Sequence, residues 1–238
     1  MKILLISGHG AKDNSASSNG YKEAKLTREL VKKIAAILKE YAEVTIYPFK
    51  RNAYQDILNG VFVDNFSNYD YVLEVHFNAG GGNGAEIYIT TTEKGGSVEE
   101  NILQELSLLG FRNRGVKIKN FLVIKTSKLA GTSAALLETC FIDSINDMKL
   151  YQSKKDEISK AIVKGIVDGF GLIQSDNYYP AFTATSIFDG LKSIHVDSSF
   201  INRRRIAKAN GITFYLGTKN QNTILLRLAK NGKLKKSF

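Results

Sequence analysis

Two of the chain's three histidines follow strand-like segments, at the points where glycine-rich loops begin. His9 comes after the apolar run at residues 3–6 and lies between two glycines. His76 directly follows the largely apolar segment at residues 71–75. The carboxyl ends of parallel strands meet at one edge of a sheet, so both imidazoles are expected at the same edge. Because imidazole nitrogen is a preferred zinc ligand, the pair predicts a shared metal ion.

A third ligand is needed to complete such a site, together with a position open to water if the metal is catalytic. Glu23 begins the first predicted helix, three residues before Leu26, from where its side chain can face the sheet. Glu74 competes with it, since it lies two residues before His76 and therefore on the same strand face. We prefer Glu23, because a ligand from a neighbouring element closes the site. The alternative is that both histidines are unrelated residues at strand ends.

Glu138 interrupts an apolar strand predicted at residues 134–142. Burying an unpaired carboxylate is costly unless something compensates its charge. A nearby divalent cation or its bound water would do so, and the acid could then serve as a base. Equally, Glu138 could lie at an exposed edge or pair with Arg112 or Arg114. Cys140, two residues further on, is expected on the same strand face as a buried structural thiol.

Strand-like and helix-like segments alternate through residues 1–172, which predicts an α/β fold with a twisted, largely parallel sheet flanked by helices. Ser97 and Glu100 have the spacing of a capping box and are expected to open one of the helices. The predicted helices cover residues 23–41, 54–62, 97–109 and 156–170. The predicted strands cover residues 3–6, 43–47, 70–76, 85–91, 121–125 and 134–142.

The last part of the chain has a different organisation. Residues 173–185 lose periodicity and contain one of two prolines, so we interpret them as a linker after a catalytic domain at residues 1–172. Residues 186–238 carry three predicted short helices. These begin near Ser186, at Ser198 or Ser199, and at Asn222. The pattern predicts a small all-α module near the lower size limit for independent folding.

Positive charge is concentrated in that module. Residues 1–185 hold 22 lysines and arginines against 21 acids, a net charge of +1. Residues 186–238 hold 11 against 2, a net charge of +9. A neutral body with a cationic tail indicates that the tail meets a polyanion. Nucleic acid, anionic lipid and the anionic polymers of a bacterial wall are the candidates.

Targeting signals are not apparent in the sequence. No apolar stretch approaches the ~18 residues that a membrane span needs. The apolar run at residues 3–6 is too short for a signal peptide, and cleavage after it would remove His9. The lone Cys140 cannot form an internal disulfide and fits a reducing compartment. We therefore expect a cytoplasmic protein without membrane insertion.

Several motifs taken together carry a family resemblance. They are Gly8-His9-Gly10, Glu23, Val75-His76-Phe77-Asn78-Ala79, Gly84-Ala85-Glu86, and Leu136-Leu137-Glu138 followed by Phe141-Ile142. This pattern resembles the zinc-dependent N-acetylmuramoyl-L-alanine amidases of the amidase 3 family. Within that family it is most similar to endolysins of phages that infect Gram-positive bacteria such as clostridia and bacilli. The resemblance spans approximately residues 1–172.

The resemblance implies a role for each matching position. His9, Glu23 and His76 would be the zinc ligands and Glu138 the catalytic acid/base, while Glu86 matches an acidic position of the family without a stated role. The implied reaction is hydrolysis of the amide between N-acetylmuramic acid and L-alanine in peptidoglycan. The usual proline before the last catalytic strand is absent, which puts only the shape of that loop in doubt.

The tail has a resemblance of its own. Its motifs, at residues 189–194, 196–200, 202–204, 207–212, 217–218 and 221–223, resemble a small module at the C-terminus of wall hydrolases from bacilli, clostridia and their phages. This implies attachment to an anionic wall polymer, with His195 as a surface residue. By composition the three arginines at residues 203–205 would suit nucleic acid equally well. No aromatic stacking platform is expected beside them, so the wall polymer is preferred.

Other functions fit parts of this pattern. A zinc peptidase that cleaves a stem or crossbridge bond would use the same metal ligands. A non-catalytic binding protein would carry the same acids as structural residues and hold no stoichiometric zinc. Without an export signal, an endolysin would remain in the host bacterial cytoplasm until lysis and then reach the wall. A sporulation autolysin released from a lysing mother cell would share that feature.

Overall fold

The structure is a computed structural model that describes residues 1–10, 15–93, 96–172 and 178–237. The chain divides into two compact units, Met1–Ile173 and Gln174–Phe238.

The predicted linker at residues 173–185 lies only partly within the described chain. Residues 173–177 are outside the described residues. Tyr179 and Phe182, by contrast, are buried in the hydrophobic core of the second unit. Because both rings pack in that core, residues 178–185 belong to the second compact unit, and the domain boundaries that include a linker at residues 173–185 stay a prediction.

A six-stranded sheet forms the centre of the first unit. Its strands are β1 (Lys2–Ser7), β4 (Glu43–Ile46), β5 (Tyr71–Asn78), β6 (Ala85–Ile89), β7 (Asn113–Ile118) and β8 (Ser133–Phe141). Two short strands, β2 (Ser17–Ser18) and β3 (Tyr21–Lys22), pair separately. The strand order is β4-β1-β5-β8-β6-β7, and every neighbouring pair is parallel except β6 with β8. The predicted largely parallel sheet is confirmed.

Helices cover both faces of this sheet. They are α1 (Glu23–Leu38), α2 (Ala53–Leu58), α3 (Ser97–Leu108), α4 (Leu122–Leu129), α5 (Ile145–Ser153) and α6 (Lys155–Phe170), with a 3-10 turn at Phe66–Asn68. One face packs against α1, α3, α5 and α6 in the larger apolar cluster. The other face packs against α2, α4 and the 3-10 turn in a smaller cluster.

Strand alternation decides which side chains of β5 face the smaller cluster. Leu73 and Val75 point into the larger core, whereas Val72 lies in the smaller one. Because successive side chains point to opposite faces, Glu74 and His76 share the face of Val72. The side chains of Glu74 and His76 therefore lie between the sheet and the helices α2 and α4.

Two predictions of secondary structure in the first unit were wrong. Residues 121–125, expected as a strand, contain the start of α4. The buried side chains of Val123, Ile124 and Ser127 lie on one helical face, but an apolar run this short does not distinguish helix from strand. The capping box expected from Ser97 is also absent. Gly96 is the N-cap of α3, and the Ser97 hydroxyl donates instead to the Gly169 carbonyl at 3.0 Å.

The second unit contains the predicted helices α7 (Ile187–Ser193), α8 (Phe200–Ala209) and α9 (Lys219–Lys230). Ser186 and Ser199 cap the first two, accepting hydrogen bonds from the backbone three residues on. The third begins three residues earlier than expected, because Thr218 and Gln221 form a capping box. In the part of the chain that the structure describes, no helix is both long enough and apolar enough to cross a membrane.

The sequence predicts no aromatic side chain beside the arginines at residues 203–205, but the structure has one next to Arg203. Phe188, Phe200 and Phe214 are all exposed on this unit. The Arg203 guanidinium lies 5.7 Å from the ring centre of Phe188, a contact that could not be predicted because the two residues belong to different helices.

Candidate metal centre and active site

Three side chains converge where β1, α1 and β5 meet. His9 follows β1, Glu23 is the first residue of α1, and His76 lies near the end of β5. Glu23 Oε2 lies 3.0 Å from His9 Nε2, and Glu23 Oε1 lies 3.0 Å from His76 Nδ1. One ligand atom from each residue lies within 4.8 Å of the others. The structure thus brings together the three predicted ligands in a group that could hold a metal ion.

The backbone around His9 allows the imidazole rings of His9 and His76 to lie close together. A Cβ atom at Gly8 would lie 2.4 Å from Cε1 of His76, so the His76 ring occupies space that only a glycine leaves empty. His9 itself has φ of 64°, in the left-handed region that residues with a side chain adopt at a cost. This unusual conformation turns the imidazole toward Glu23.

Glu23 is held in the orientation that a ligand needs. Glu23 is 3% exposed, and the Phe77 backbone N–H donates to its Oε1 at 3.0 Å. Burial opposes ionisation of Glu23, but hydrogen bonds from His76 and His9 lower its pKa to about 2. Glu23 is therefore a carboxylate at neutral pH.

Glu74, the competing candidate, approaches the other ring nitrogen of His76. Its Oε1 lies 3.2 Å from His76 Nε2, and Nε2 makes no hydrogen bond with any of the described residues. Burial lowers the pKa of His76, but Glu23 and Glu74 outweigh it and raise that pKa well above its usual value. Glu74 therefore lies behind His76, and the group that could hold a metal contains Glu23 in its place.

Glu138 stands beside this group. It is the direct neighbour of His76 in the parallel pairing of β5 with β8. Burial raises its pKa to about 7, helped by the charges of Glu23 and others nearby and opposed by that of His76. Its Oε2 is buried without a hydrogen-bond partner among the described residues. This carboxyl group can thus take up and release a proton near neutral pH.

The structural alternatives for Glu138 were wrong. Its strand β8 lies inside the sheet, between β5 and β6, rather than at an edge. Arg114 is not its partner, because the Arg114 Nε donates to Glu86 at 2.5 Å.

Glu86 is the centre of a separate polar network. It pairs with Glu138 in the β6–β8 register and is 2% exposed. Arg114, Lys117 and the hydroxyl of Tyr88 all donate to its carboxylate. Burial opposes its ionisation, but these contacts lower the pKa of Glu86 to about 2. Glu86 is therefore an ionised carboxylate whose charge is balanced by Arg114 and Lys117, and its role is structural.

This network also fixes a residue of the histidine motif. The Asn78 amide donates to Glu86 Oε1 at 2.8 Å, which ties the end of β5 to β6. Arg114 and Lys117 belong to β7, a strand that the sequence analysis did not predict. The role of Glu86 could therefore not have been read from its own motif.

Cys140 lies on the opposite side of the sheet from the site. The register of β5 with β8 shifts between the pair His76–Glu138 and the pair Asn78–Phe141, so β8 holds an extra residue there. This bulge turns Cys140 into the larger core, where burial raises the pKa of its thiol well above the usual value. The expectation that it shares a face with Glu138 was wrong, while a buried thiol is confirmed.

A cleft of about 400 Å³ opens over the site. Its floor is formed by His9, Glu74, His76 and Glu138. Its walls come from α2 and from α4 with the residue before it, and include Asn52, Tyr54, Gln55, Phe121, Leu122 and Val123. The cleft therefore combines ionisable groups at its base with an apolar wall, as small-molecule sites commonly do.

Comparison with known proteins decides the family. The family model for N-acetylmuramoyl-L-alanine amidases matches residues 3–168. The chain belongs to this amidase family. The matched residues lie within the first unit and include all four predicted site residues of the amidase.

The curated relatives include two N-acetylmuramoyl-L-alanine amidases and an endolysin. The amidase is 32% identical to the N-acetylmuramoyl-L-alanine amidase CwlM of Bacillus licheniformis, over 72% of this chain and 70% of that protein. It is 29% identical to the sporulation-specific N-acetylmuramoyl-L-alanine amidase of Bacillus subtilis, over 71% and 66% of the two chains. It is 27% identical to the endolysin of Bacillus phage SPP1, over 72% and 65%.

Solved structures share the fold. The catalytic domain of the CD27L endolysin targeting Clostridia difficile aligns with a TM-score of 0.60 and 25% identity, over 71% of this chain and 98% of that one. The catalytic domain of CwlV, an N-acetylmuramoyl-L-alanine amidase from Bacillus (Paenibacillus) polymyxa, aligns with a TM-score of 0.58 and 22% identity, over 71% and 97%.

Proposed function

We propose that the amidase hydrolyses the amide bond between N-acetylmuramic acid and L-alanine of peptidoglycan, with a zinc ion held by His9, Glu23 and His76. The observation that carries this proposal is the convergence of that trio beside Glu138, whose pKa of about 7 suits a proton carrier. Membership of the amidase family supports the choice of bond.

The side chains fit zinc in three respects. Two imidazoles and one carboxylate are a donor set that catalytic zinc sites use, with one position left for water. Glu23 is already ionised, as a ligand must be. Beside the trio, Glu138 Oε2 is buried and has no hydrogen-bond partner among the described residues. Such an atom marks a place that another polar group completes.

Each residue then has a task in the reaction. A bound zinc ion would supply Lewis-acid polarisation of the carbonyl and a lowered pKa for the attacking water. Glu138 accepts the proton of that water and donates it to the leaving amine of L-alanine. The apolar wall of the cleft, with Tyr54 and Phe121, holds the substrate against the polar floor. Glu74 limits the rotation of the His76 ring through its approach to Nε2.

Mass spectrometry of digested peptidoglycan tests the choice of bond. New amino ends on alanine, with the glycan strands intact, support the proposal. New amino ends on any other stem or crossbridge residue would instead identify the peptidase that the same metal ligands allow.

We infer a wall-binding role for the second unit. Residues 186–238 carry a net charge of +9, which suits the anionic polymers of a Gram-positive wall. We expect neither nucleic acid nor an inserted membrane as the partner. Wall sedimentation that weakens with salt supports this role, because exposed charge pairs are screened by ions.

We propose that the amidase degrades the host cell wall so that newly assembled phage particles are released. The similarity to the SPP1 endolysin supports it, and the similarity to a sporulation-specific amidase supports release from a lysing mother cell as the second candidate. In either setting the protein would remain in the bacterial cytoplasm until lysis. Lysis of a host that co-expresses a membrane-permeabilising protein, and none without it, is the expected result.

A further inference from the structure

Another cavity of the first unit opens at the same edge of the sheet as the candidate metal centre. It measures about 570 Å³ and is here named the arginine basin, because it is lined by residues 81–83, Arg112, Arg114, Asp143 and Ser144. Residues 81–83 follow β5, the strand of His76, and Asp143 follows β8, the strand of Glu138. Because the carboxyl ends of parallel strands lie at one edge, the basin and the metal centre share that edge.

Two carboxylates hold the glycine-rich loop that forms one wall of the arginine basin. Asp143 Oδ2 accepts from the backbone N–H groups of Gly80 and Gly81 at 2.8 Å each. Asp147 Oδ2 accepts from the N–H of Gly84 at 2.8 Å, at the other end of the loop. The hydrogen bonds from Gly80 and Gly81 lower the pKa of Asp143, against the effect of burial. The wall is therefore fixed without a ligand, and Asp143 is an ionised residue that holds the loop.

The two arginines bring positive charge to the basin that its acid does not balance. Asp143 forms no ion pair with either of them, and the exposed Arg112 side chain forms none with any of the described residues. Arg114 uses Nε for Glu86 and Nη1 for the Asn83 carbonyl at 3.3 Å, which leaves Nη2 for a ligand. Guanidinium groups suit an anion with planar oxygen atoms, above all a carboxylate.

Arg114 also connects the basin to the active site. His76, Glu138 and Glu86 are register neighbours across β5, β8 and β6, and Arg114 donates to Glu86 from the next strand. Neighbouring strands lie about 4.8 Å apart, so the three steps from β5 to β7 come to about 14 Å. An extended peptide covers about 3.3–3.6 Å per residue. A ligand that reaches from the metal centre to the basin therefore spans three or four residues.

We propose that the arginine basin binds a carboxylate on the third or fourth residue of the peptidoglycan stem peptide, and that Arg112 pairs with it. The inference rests on the proposed function and adds a specificity site for the peptide. The Ser144 hydroxyl, which accepts from the Asp147 N–H at 3.3 Å, can donate its own proton to the same carboxylate. Phosphate would also suit the guanidinium groups, but the ionised Asp143 disfavours a doubly charged anion in the same cavity.

Matched substrates test this proposal with the full, zinc-loaded chain. One pair is N-acetylmuramoyl-L-alanyl-D-isoglutaminyl-L-lysine, whose only carboxylate is at its end, and the same compound with a terminal amide. A second pair carries one further D-alanine before the same two ends. In at least one pair, kcat/KM of the parent chain should be about three- to tenfold higher for the acid than for the amide.

Substitution of Arg112 should remove this preference. Arg112→Gln should lower kcat/KM for the acid to the value for the amide, whereas Arg112→Lys keeps the charge and should retain part of the preference. The Arg112 side chain is exposed, and its backbone carbonyl still accepts from the Ala85 N–H at 2.8 Å, so the melting temperature should not change.

Lys39→Gln is the matched control for the loss of one exposed positive charge. Lys39 follows the last residue of α1, a helix of 16 residues that begins at Glu23 in the metal centre. At a rise of about 1.5 Å per residue, the removed charge lies roughly 24 Å along the helix from the site. The control should therefore keep the preference for the acid.

Three results would overturn the proposal. They are equal kcat/KM values of the parent for acid and amide in both pairs, an equal loss on acid and amide in Arg112→Gln, and inhibition by inorganic phosphate that depends on Arg112 without a preference between substrates. Hydrolysis without a preference refutes the basin only. If no substrate is hydrolysed, the catalytic proposal fails, and calorimetric binding of the acid and the amide then decides the basin separately.

Discussion

Glu138 and His76 are direct neighbours across the pairing of β5 with β8, and this register joins the proton carrier to the candidate metal centre. Burial raises the pKa of Glu138 to about 7, with the charge of His76 opposing the shift and those of the neighbouring carboxylates adding to it. Changes to the candidate metal ligands and changes to the proton carrier should therefore have separate consequences.

Replacing Glu138 by glutamine should abolish most activity while leaving the metal in place. Glutamine has a similar shape but cannot transfer a proton, so turnover should fall by roughly 10²- to 10⁴-fold. The measurement is release of stem peptides from purified sacculi, with zinc content determined on the same sample. Glu100→Gln, an exposed change on α3, is the control and should retain activity. Full activity of Glu138→Gln would remove Glu138 from the mechanism.

The same substitution should stabilise the metal-free chain at alkaline pH. Because folding raises the Glu138 pKa from about 4.5 to about 7, the folded state binds a proton that the unfolded state releases between these values. The resulting stabilisation is present below pH 4.5 and is lost as pH rises through 7. Glutamine does not titrate, so the variant does not lose this stabilisation. Between pH 4.5 and pH 8, the free energy of unfolding of Glu138→Gln should therefore rise by about 2–3 kcal/mol relative to that of its parent.

Urea unfolding in the presence of a chelator measures this difference. The two chains should have similar free energies of unfolding near pH 4.5 and diverge as pH rises. A constant difference across the range would show that folding does not raise the pKa of Glu138.

Glu74 should matter for zinc affinity more than for turnover. Because it approaches His76 Nε2, its loss frees the ring to rotate, and affinity should fall by about 10- to 100-fold. Competition with a chromophoric chelator gives the dissociation constant of Glu74→Gln. At saturating zinc the variant should recover most of its kcat, whereas Glu23→Gln should not. An unchanged affinity would mean that Glu74 does not orient His76.

Gly8→Ala should disrupt the site by direct collision. The new methyl group would overlap the His76 ring, so the ring must move and both zinc binding and activity should be lost. We expect about 1–3 kcal/mol of destabilisation from the crowding. Gly131→Ala is the matched control, since it also strains a turn, with φ of 89°, but meets no atom within 4 Å. It should keep its zinc, and loss of zinc from both variants would point to general unfolding.

Sequence alone could predict the core of the site because each ligand is tied to a local signal. His9 and His76 end apolar strand segments, and Glu23 begins an amphipathic helix. Neighbouring parallel strands bring such positions together without any knowledge of the loops. The three residues were therefore expected at one place, and the structure brings them there.

The surroundings of the site depended on tertiary contacts that local patterns do not encode. The wall helix α4 begins with an apolar run that fits either a strand or a helix. Strand β7 is a polar strand at the edge of the sheet. Its Arg114 and Lys117 form ion pairs with Glu86 on the neighbouring strand, and these pairs exist only in the folded sheet. The bulge that separates Cys140 from Glu138 likewise arises from the pairing of β8 with β5.

Anomalous diffraction at the zinc edge, on crystals grown with zinc, tests the central claim most directly. The account predicts one strong peak, bound by His9 Nε2, His76 Nδ1 and a Glu23 oxygen at about 2.0–2.2 Å. Zinc bound elsewhere, or an empty space between these three side chains in zinc-saturated crystals, would contradict it.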